Sequence, residues 1–410
     1  MASLQIISSS VLCSSSLKIK SSIQFPELPK LPSSYSYVPT RNLLQELNGF
    51  RFTIPPTFQQ PPSSSSSSSS SNATQQLYAI LEAVSDRVEM HLNLAHQRNN
   101  WNTLLFNNIN MLTLTATAMA AIASATPISP LKISSTLLFS AATGMMLVVN
   151  KIQPSQLAEE QRNATRLFKQ LQSQIETTIA LGNPNDEDVK KAMKNVLAID
   201  KAYPLPLLGV MIEKFPSKFE PAVWWPQQQH QQRLSSSSKR RRRSNGWNEE
   251  LERELMDVLE VVKRKDMEDY ERLGNMVLNI NKSLAIAGPL LTGIAAVGSM
   301  FVSEGSSLAA MVTVMGGALA TAVNALEHGG QVGMVCEMYR NCGGFFRLLE
   351  DSIEEAVEEE KEDGEVFEMK VALKLGRSVS ELRQLASKSA YSRVEGIPIQ
   401  HHDEFASKLF

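Results

Sequence analysis

Apolar residues recur at helical spacing over residues 75–100, where Leu77, Ile80, Leu81, Val84, Val88 and Leu92 form one stripe. The pattern then changes. Residues 99–131 and 133–150 carry no charged side chain, and the break between them, TPISPLK, holds Pro127, Pro130 and Lys132, as a turn should. Amphipathic spacing returns over 155–181 through Leu157, Leu167, Phe168, Leu171, Ile175 and Ile179. The GNPND stop at Gly182–Asp186 ends it, and a short helix is predicted over 186–201. The second half repeats this order. An amphipathic helix at about 247–281 uses Leu251, Leu255, Val258 and Val262, and charge-free runs follow at 283–303 and 305–326, separated by Glu304. Two more helices are predicted over about 327–361 and 365–391. Strand signals are absent throughout, so the fold class is all-α.

The halves also match in residues, which predicts two tandem copies of one helical unit. Residues 159–176 align with 337–354 without a gap, sharing Glu159/Glu337, Arg162/Arg340, Asn163/Asn341 and Phe168/Phe346 among seven identities in 18 positions. NIN at Asn108–Asn110 recurs at Asn279–Asn281, and Val149-Asn150 recurs as Val323-Asn324. The duplicated polar set Asn110/Asn281, Asn150/Asn324 and Arg162/Arg340 is the candidate interaction site, because such side chains hydrogen-bond across helices and fix their register.

Each charge-free run is close to the roughly 20 residues that a helix needs to span hydrocarbon. Those of the second half are rich in Gly, Ala and Ser, which let helix backbones approach closely. Spanning hairpins would each re-emerge on the side they entered. Two alternatives stand beside that reading: a soluble bundle with an Ala-rich core covered by the amphipathic helices, and a soluble bundle competent to insert. Threonines, Asn107, Asn108, Asn110 and Pro289 dilute or interrupt the apolar runs and favour the soluble forms.

The flanking segments set the domain layout. Residues 1–50 hold 12 serines and no acidic residue before Glu27, the composition of a plastid transit peptide, with a plain disordered tail as the alternative. Residues 51–74, with Pro-Pro pairs and an unbroken run from Ser63 to Ser71, read as a flexible linker. The repeat units then occupy 75–203 and 247–395, with a flexible tail at 396–410. Between the units, 204–246 is a second linker that includes KFEPAVWWP and the basic run Lys239–Arg243. The basic run reads as a solvated loop, an import signal, a nucleic-acid patch or an anionic-lipid contact. Trp224 and Trp225, set between prolines, either dock onto the helical body or sit at a membrane interface.

Composition removes whole classes of function. Lys+Arg 40 against Asp+Glu 42 gives a net charge of −2, so nothing pulls the whole molecule toward nucleic acid. Three cysteines, Cys13, Cys336 and Cys342, exclude a disulfide scaffold and a multi-cysteine zinc module. The six histidines form no HExxH and no Glu-x-x-His pair, and no phosphate loop or Gly-x-Ser-x-Gly elbow is present. The acidic run Glu350–Glu365, ten carboxylates against one lysine, lacks the spacing of a calcium loop and reads as a solvated helix end. No catalytic residue, metal site or cofactor is assigned.

With its presequence, doubled hairpins and KFEPAVWWP linker, the chain resembles, over most of residues 75–395, a plant family labelled "probable F-box protein". That resemblance implies a substrate adaptor of an SCF-type ubiquitin ligase that binds the Skp1 adaptor, soluble in cytosol and nucleus. Leu28-Pro29 and Leu31-Pro32 precede a short helical patch at 41–47, after which proline and serine follow; a complete F-box is not found. The leading expectation is a non-enzymatic chloroplast protein, in membrane or stroma, that uses its apolar hairpins to associate with a membrane, with protein partners or with itself.

Overall fold

The computed structural model describes residues 67–126, 129–182, 184–206, 212–226, 247–302, 307–359, 363–395 and 404–409. The expected transit segment, the serine tract before Ser67, the basic run Lys239–Arg243 and His401-His402 lie outside them. The described residues are all-α, with no strand among them.

The first half of the described chain comprises α1 (Ser67–Ala125), α2 (Ser129–Ile152), α3 (Pro154–Ala180) and α4 (Asp186–Ala202). The second half comprises α5 (Glu249–Val261), a π turn (Val262–Met267), α6 (Glu268–Met300), α7 (Ser307–Asn324), a second π turn (Ala325–Gly329), α8 (Val332–Glu359), α9 (Gly364–Lys374) and α10 (Val379–Glu395). The amphipathic and apolar stretches of α1 form one unbroken helix of 59 residues, about 90 Å long. No helix-breaking residue separates them; only the character of the stripe changes, from Leu77, Ile80 and Val84 to Thr113, Ala116 and Ala120.

Two cores of ordinary character sit at one end. Leu77, Val84, Phe168, Leu171, Ile175 and Val196 pack α1 against α3 and α4. Leu255, Val258, Phe346, Leu349, Val371 and Leu385 pack α5 against α8, α9 and α10. We call this end the cap. Residues 212–226 bind it together: Phe219 lies against Gly274 and Leu278, and the Ala222 amide donates to the Arg340 carbonyl at 3.0 Å. Gly344 leaves room for this crossing, since a Cβ there would strike the Ala222 carbonyl and Trp224.

At the other end α1, α2, α6 and α7 form a four-helix bundle with antiparallel neighbours. Thr136 meets Ser299 across α2 and α6 at 2.6 Å, and Thr117 faces Gly317 across α1 and α7. The interior is made of small and weakly polar residues, Thr113, Ala116, Ala120, Ser135, Ala142, Thr292, Ala295, Ser299, Gly316 and Gly317, around Phe139 and Met146. Most large aliphatics point outward instead, among them Leu104, Leu114, Leu137, Leu290, Val297, Leu308 and Leu319, while Ile109 and Val149 stay inside. The amphipathic helices α3 and α8 pack within the cap and leave this outer face uncovered.

Two details differ from the sequence expectation. The helix predicted over 365–391 is two, because Gly376 adopts φ 69° and turns the chain between α9 and α10. The expected tail at 396–410 also docks in part. Asp266, buried in the first π turn, accepts the amides of Ala406 and Ser407 at 2.8 and 2.9 Å. Arg377 adds bonds to the Ala406 carbonyl at 2.6 Å and to Glu404 at 3.0 Å. Lys388 and Arg377 together hold the Glu404 carboxyl below its usual range.

Candidate functional site

Buried polar side chains concentrate where the bundle meets the cap. The level nearest the bundle is built from the asparagines. Pro289 has no N–H, so the Ala285 carbonyl one turn earlier loses its helical donor. Asn150 of α2 supplies a replacement, its Nδ2 donating to that carbonyl at 2.6 Å. The opposite pairing joins α7 to α1, where Asn324 Nδ2 donates to Asn110 Oδ1 at 2.7 Å. Asn281 is fully buried and neither its amide oxygen nor its nitrogen has a partner.

A second level forms where the chain leaves the bundle. Gln153 and Gln331 both adopt left-handed backbone, φ 47° and 53°, just before α3 and α8. Each accepts the first helical amide, from Leu157 at 3.0 Å and Val335 at 3.1 Å. Pro154 begins α3 at the position where a missing N–H costs nothing. The second π turn buries Glu327 and His328; Gln153 Nε2 reaches Glu327 at 3.2 Å, and His328 Nε2 lies 3.1 Å from Asn150 Oδ1.

The third level lies between α3 and α8. Asn163 Nδ2 donates to the Tyr203 hydroxyl at 2.7 Å, and that hydroxyl donates to Asn341 Oδ1 at 2.7 Å. One tyrosine thus bridges the two asparagines that the sequence alignment pairs. Burial pushes the Tyr203 phenol well above its usual range, so it stays a neutral donor. Arg162 and Arg340 make the same local ion pair, to Glu159 at 3.1 Å and Glu337 at 2.8 Å. Lys214 of the linker pairs with buried Glu160, and His91 meets Gln161 at 2.6 Å while stacking on Phe168.

Trp224 and Trp225 dock onto the cap, edge to face with centroids 5.3 Å apart. Trp224 packs against the first core, and Trp225 Nε1 donates to Asp351 at 2.7 Å. Beside them an open groove of about 700 Å³ runs between α3 and α4, lined by Gln170, Gln174, Thr178, Lys191 and Asn195. The acidic stretch contributes Glu350 and Glu354, both within 2.9 Å of Lys263. Cys336 and Cys342 are not bridged. Among the described residues, no group of three or more His, Cys, Asp or Glu side chains could hold a metal ion.

The structure gives a polar or packing partner to every candidate residue except Asn281, whose amide is buried without one, and groups them differently. Asn110 meets Asn324 and Asn150 serves the helix that carries Asn281, so contacts run between the two halves. Tyr203, Glu160, Lys214, Gln153 and Glu327 are additions. Of these, Glu327 had a visible signal, as the first charge after a 22-residue apolar run (305–326).

The sequence model of the family described as "Petal formation-expressed", Chloroplast_duf, matches residues 76–383. The chain belongs to this plant, chloroplast-associated family, and the match covers both hairpins and most of the cap. No curated protein and no solved structure matches it.

Proposed function

We propose that the protein is a membrane-embedded chloroplast protein without a reaction of its own, whose two hairpins cross one bilayer and hold the cap at its surface as a partner-binding platform. The spanning segments are 104–125, 129–150, 283–302 and 307–326. At 1.5 Å per residue these are about 30–33 Å long, the thickness of the hydrocarbon core. All four parent helices are long and apolar enough to cross a membrane.

One observation carries the reading: the polarity of the bundle is inverted. Leu137 is 65 % exposed and Leu290 59 %, whereas Thr113, Thr292 and Thr313 are fully buried. Water would favour the opposite arrangement, because burying one leucine stabilises by about 1.5–3 kcal/mol. In lipid the outer aliphatics cost nothing, and close packing of small residues holds the helices together. The threonine hydroxyls satisfy themselves on carbonyls one turn back, as Thr113 does on Ile109 at 2.7 Å.

An internal duplication supports the same architecture. The left-handed glutamines and the Glu-Arg ion pairs recur at the spacing that relates 159–176 to 337–354. The second π turn takes up the residues that separate Asn324 from Gln331 but have no counterpart between Asn150 and Gln153. The serine-rich start supports import with cleavage of a transit peptide.

The test is expression of the full chain with a C-terminal tag in leaf cells, followed by alkaline carbonate extraction of plastid membranes. A shortened product retained in the pellet supports the proposal. A shortened product in the supernatant makes the bundle soluble, and full-length protein outside plastids returns the F-box-type adaptor reading.

A further inference from the structure

Six acidic side chains are buried among the described residues, and five have a matched partner. Glu159 pairs with Arg162, Glu160 with Lys214, Glu337 with Arg340, and Glu368 with Arg383 through two bonds of 2.7 Å. Asp266 accepts two backbone amides. Glu327 is the exception. It is 2 % exposed, and its carboxylate receives one bond, from the Gln153 amide at 3.2 Å. His328 Nε2 stands 3.8 Å away but has the Asn150 oxygen at 3.1 Å, so its N–H is directed there. A buried carboxylate with no compensating charge is among the costliest arrangements a protein can hold.

The surroundings are oxygen-rich and incompletely bonded. Gln153 Oε1, Gln156 Oε1 and Ser155 Oγ are all buried without a partner. Gln153 Oε1 and Ser155 Oγ converge over Gly333, lying 2.9 and 3.1 Å from where a Cβ would stand there. Both unpartnered oxygens therefore lie against the same glycine, which has no side chain to separate them. Turning the Gln153 amide over would set its oxygen 3.2 Å against Glu327, so neither orientation satisfies both ends. Water could complete the neutral atoms, but balancing the charge takes a cation or a proton.

We propose that the buried oxygens between the second π turn and the start of α3 bind a small monovalent cation, Na⁺ or K⁺, through the Glu327 carboxylate and the oxygens of Gln153 and Ser155. One carboxylate with neutral oxygens matches a single positive charge, whereas divalent ions in protein cages take several carboxylates. The left-handed break at Gln153 sets Gln153 and Ser155 at the end of a bundle helix, with the Gln153 amide against Glu327. π turns are also frequent at functional sites. The proposal concerns the buried charge, and it stands whether the bundle lies in lipid or in water.

The test is thermal unfolding of the purified full chain in detergent at constant ionic strength and about pH 7.5, with choline chloride replaced stepwise by NaCl or KCl. The expected result is a saturable rise in Tm of about 3–6 °C with one of the two ions. Glu327→Gln removes the charge and keeps the shape, so it should melt at or above the wild type in choline and show no ion response. Ser155→Ala, the milder change, should raise the half-saturating ion concentration by about tenfold. Equal Tm in all three salts overturns the proposal. So does a Tm that follows pH in choline and ignores both ions, which would make a proton the occupant. An unchanged response in Ser155→Ala together with Glu327→Gln places any binding elsewhere and overturns it as well. Carbonate extraction of Glu327→Gln should match the wild type, which separates this result from the membrane reading.

Discussion

The cap and the bundle are made by one chain, and α1 and α6 run through both, yet their interiors follow opposite rules. In the cap, Phe168, Leu171, Phe346 and Leu349 fill the interior, the arrangement water enforces. In the bundle, Ala116, Thr113, Gly316 and Gly317 occupy the interior while Leu137, Leu290 and Leu319 face outward. Packing in the cap draws on burial of large apolar surface. Packing in the bundle draws on close backbone approach, as where Gly316 lies 3.4 Å, measured from an added Cβ, from the Leu291 carbonyl. On the proposed reading, such a difference within single continuous helices follows from a change of solvent along their length.

The comparison can be broken at several points. The largest effect is expected at Phe168, which is fully buried between α1, α3 and α4; Phe168→Ala should cost about 3–5 kcal/mol of cap stability, read by denaturant unfolding of the solubilised protein. Next comes the outer face of the bundle. Leu137→Arg should cost about 2.5–3.5 kcal/mol of membrane insertion, read as loss from the carbonate-resistant pellet. If the bundle were soluble, the same change at an exposed site would fall within about ±0.5 kcal/mol. Asn150→Leu leaves the Ala285 carbonyl without a donor and should cost about 1–3 kcal/mol, read as a lower Tm. Combined with Pro289→Ala, which restores the helical N–H, part of that loss should return.

The smallest effect concerns the docked C-terminal residues of the cap. Glu404 is held below its usual range by Lys388 and Arg377. A depressed carboxyl stabilises above its unfolded pKa, and that contribution is lost as pH falls through the folded value. Hydrogen exchange of the Ala406 and Ser407 amides should therefore accelerate on acidification below the ordinary glutamate range. Bundle amides should show no such step, since their interior residues do not titrate.

Helix class, the paired apolar runs and the turn near Pro130 were legible in the sequence, because uncharged runs bounded by Lys132, Lys151 and Lys282 leave no other periodicity. The continuity of α1 was not, since a stripe that changes from leucine to alanine and threonine resembles a boundary. The asparagines were identifiable as duplicated polar residues within apolar surroundings. Their pairing was hidden, because Asn150 answers a carbonyl freed by Pro289, 139 positions later, and only the fold brings the two together. Docking of 404–409 was equally hidden, as it depends on the π turn that aims Asp266. Glu327 was visible as a flanking charge, but its lack of a counter-charge is a property of packing alone.

Accessibility of the outward leucines tests the central claim most directly. Leu137, Leu290 and Leu319 are replaced singly by Cys in a chain whose Cys336 and Cys342 are changed to Ala, alongside a Leu197→Cys control on the cap, 58 % exposed. Intact plastid membranes are then treated with a bulky water-soluble maleimide. A membrane-embedded bundle requires the control to react at once and the three bundle positions to react only after detergent is added. Equal reaction at all four positions without detergent would contradict it.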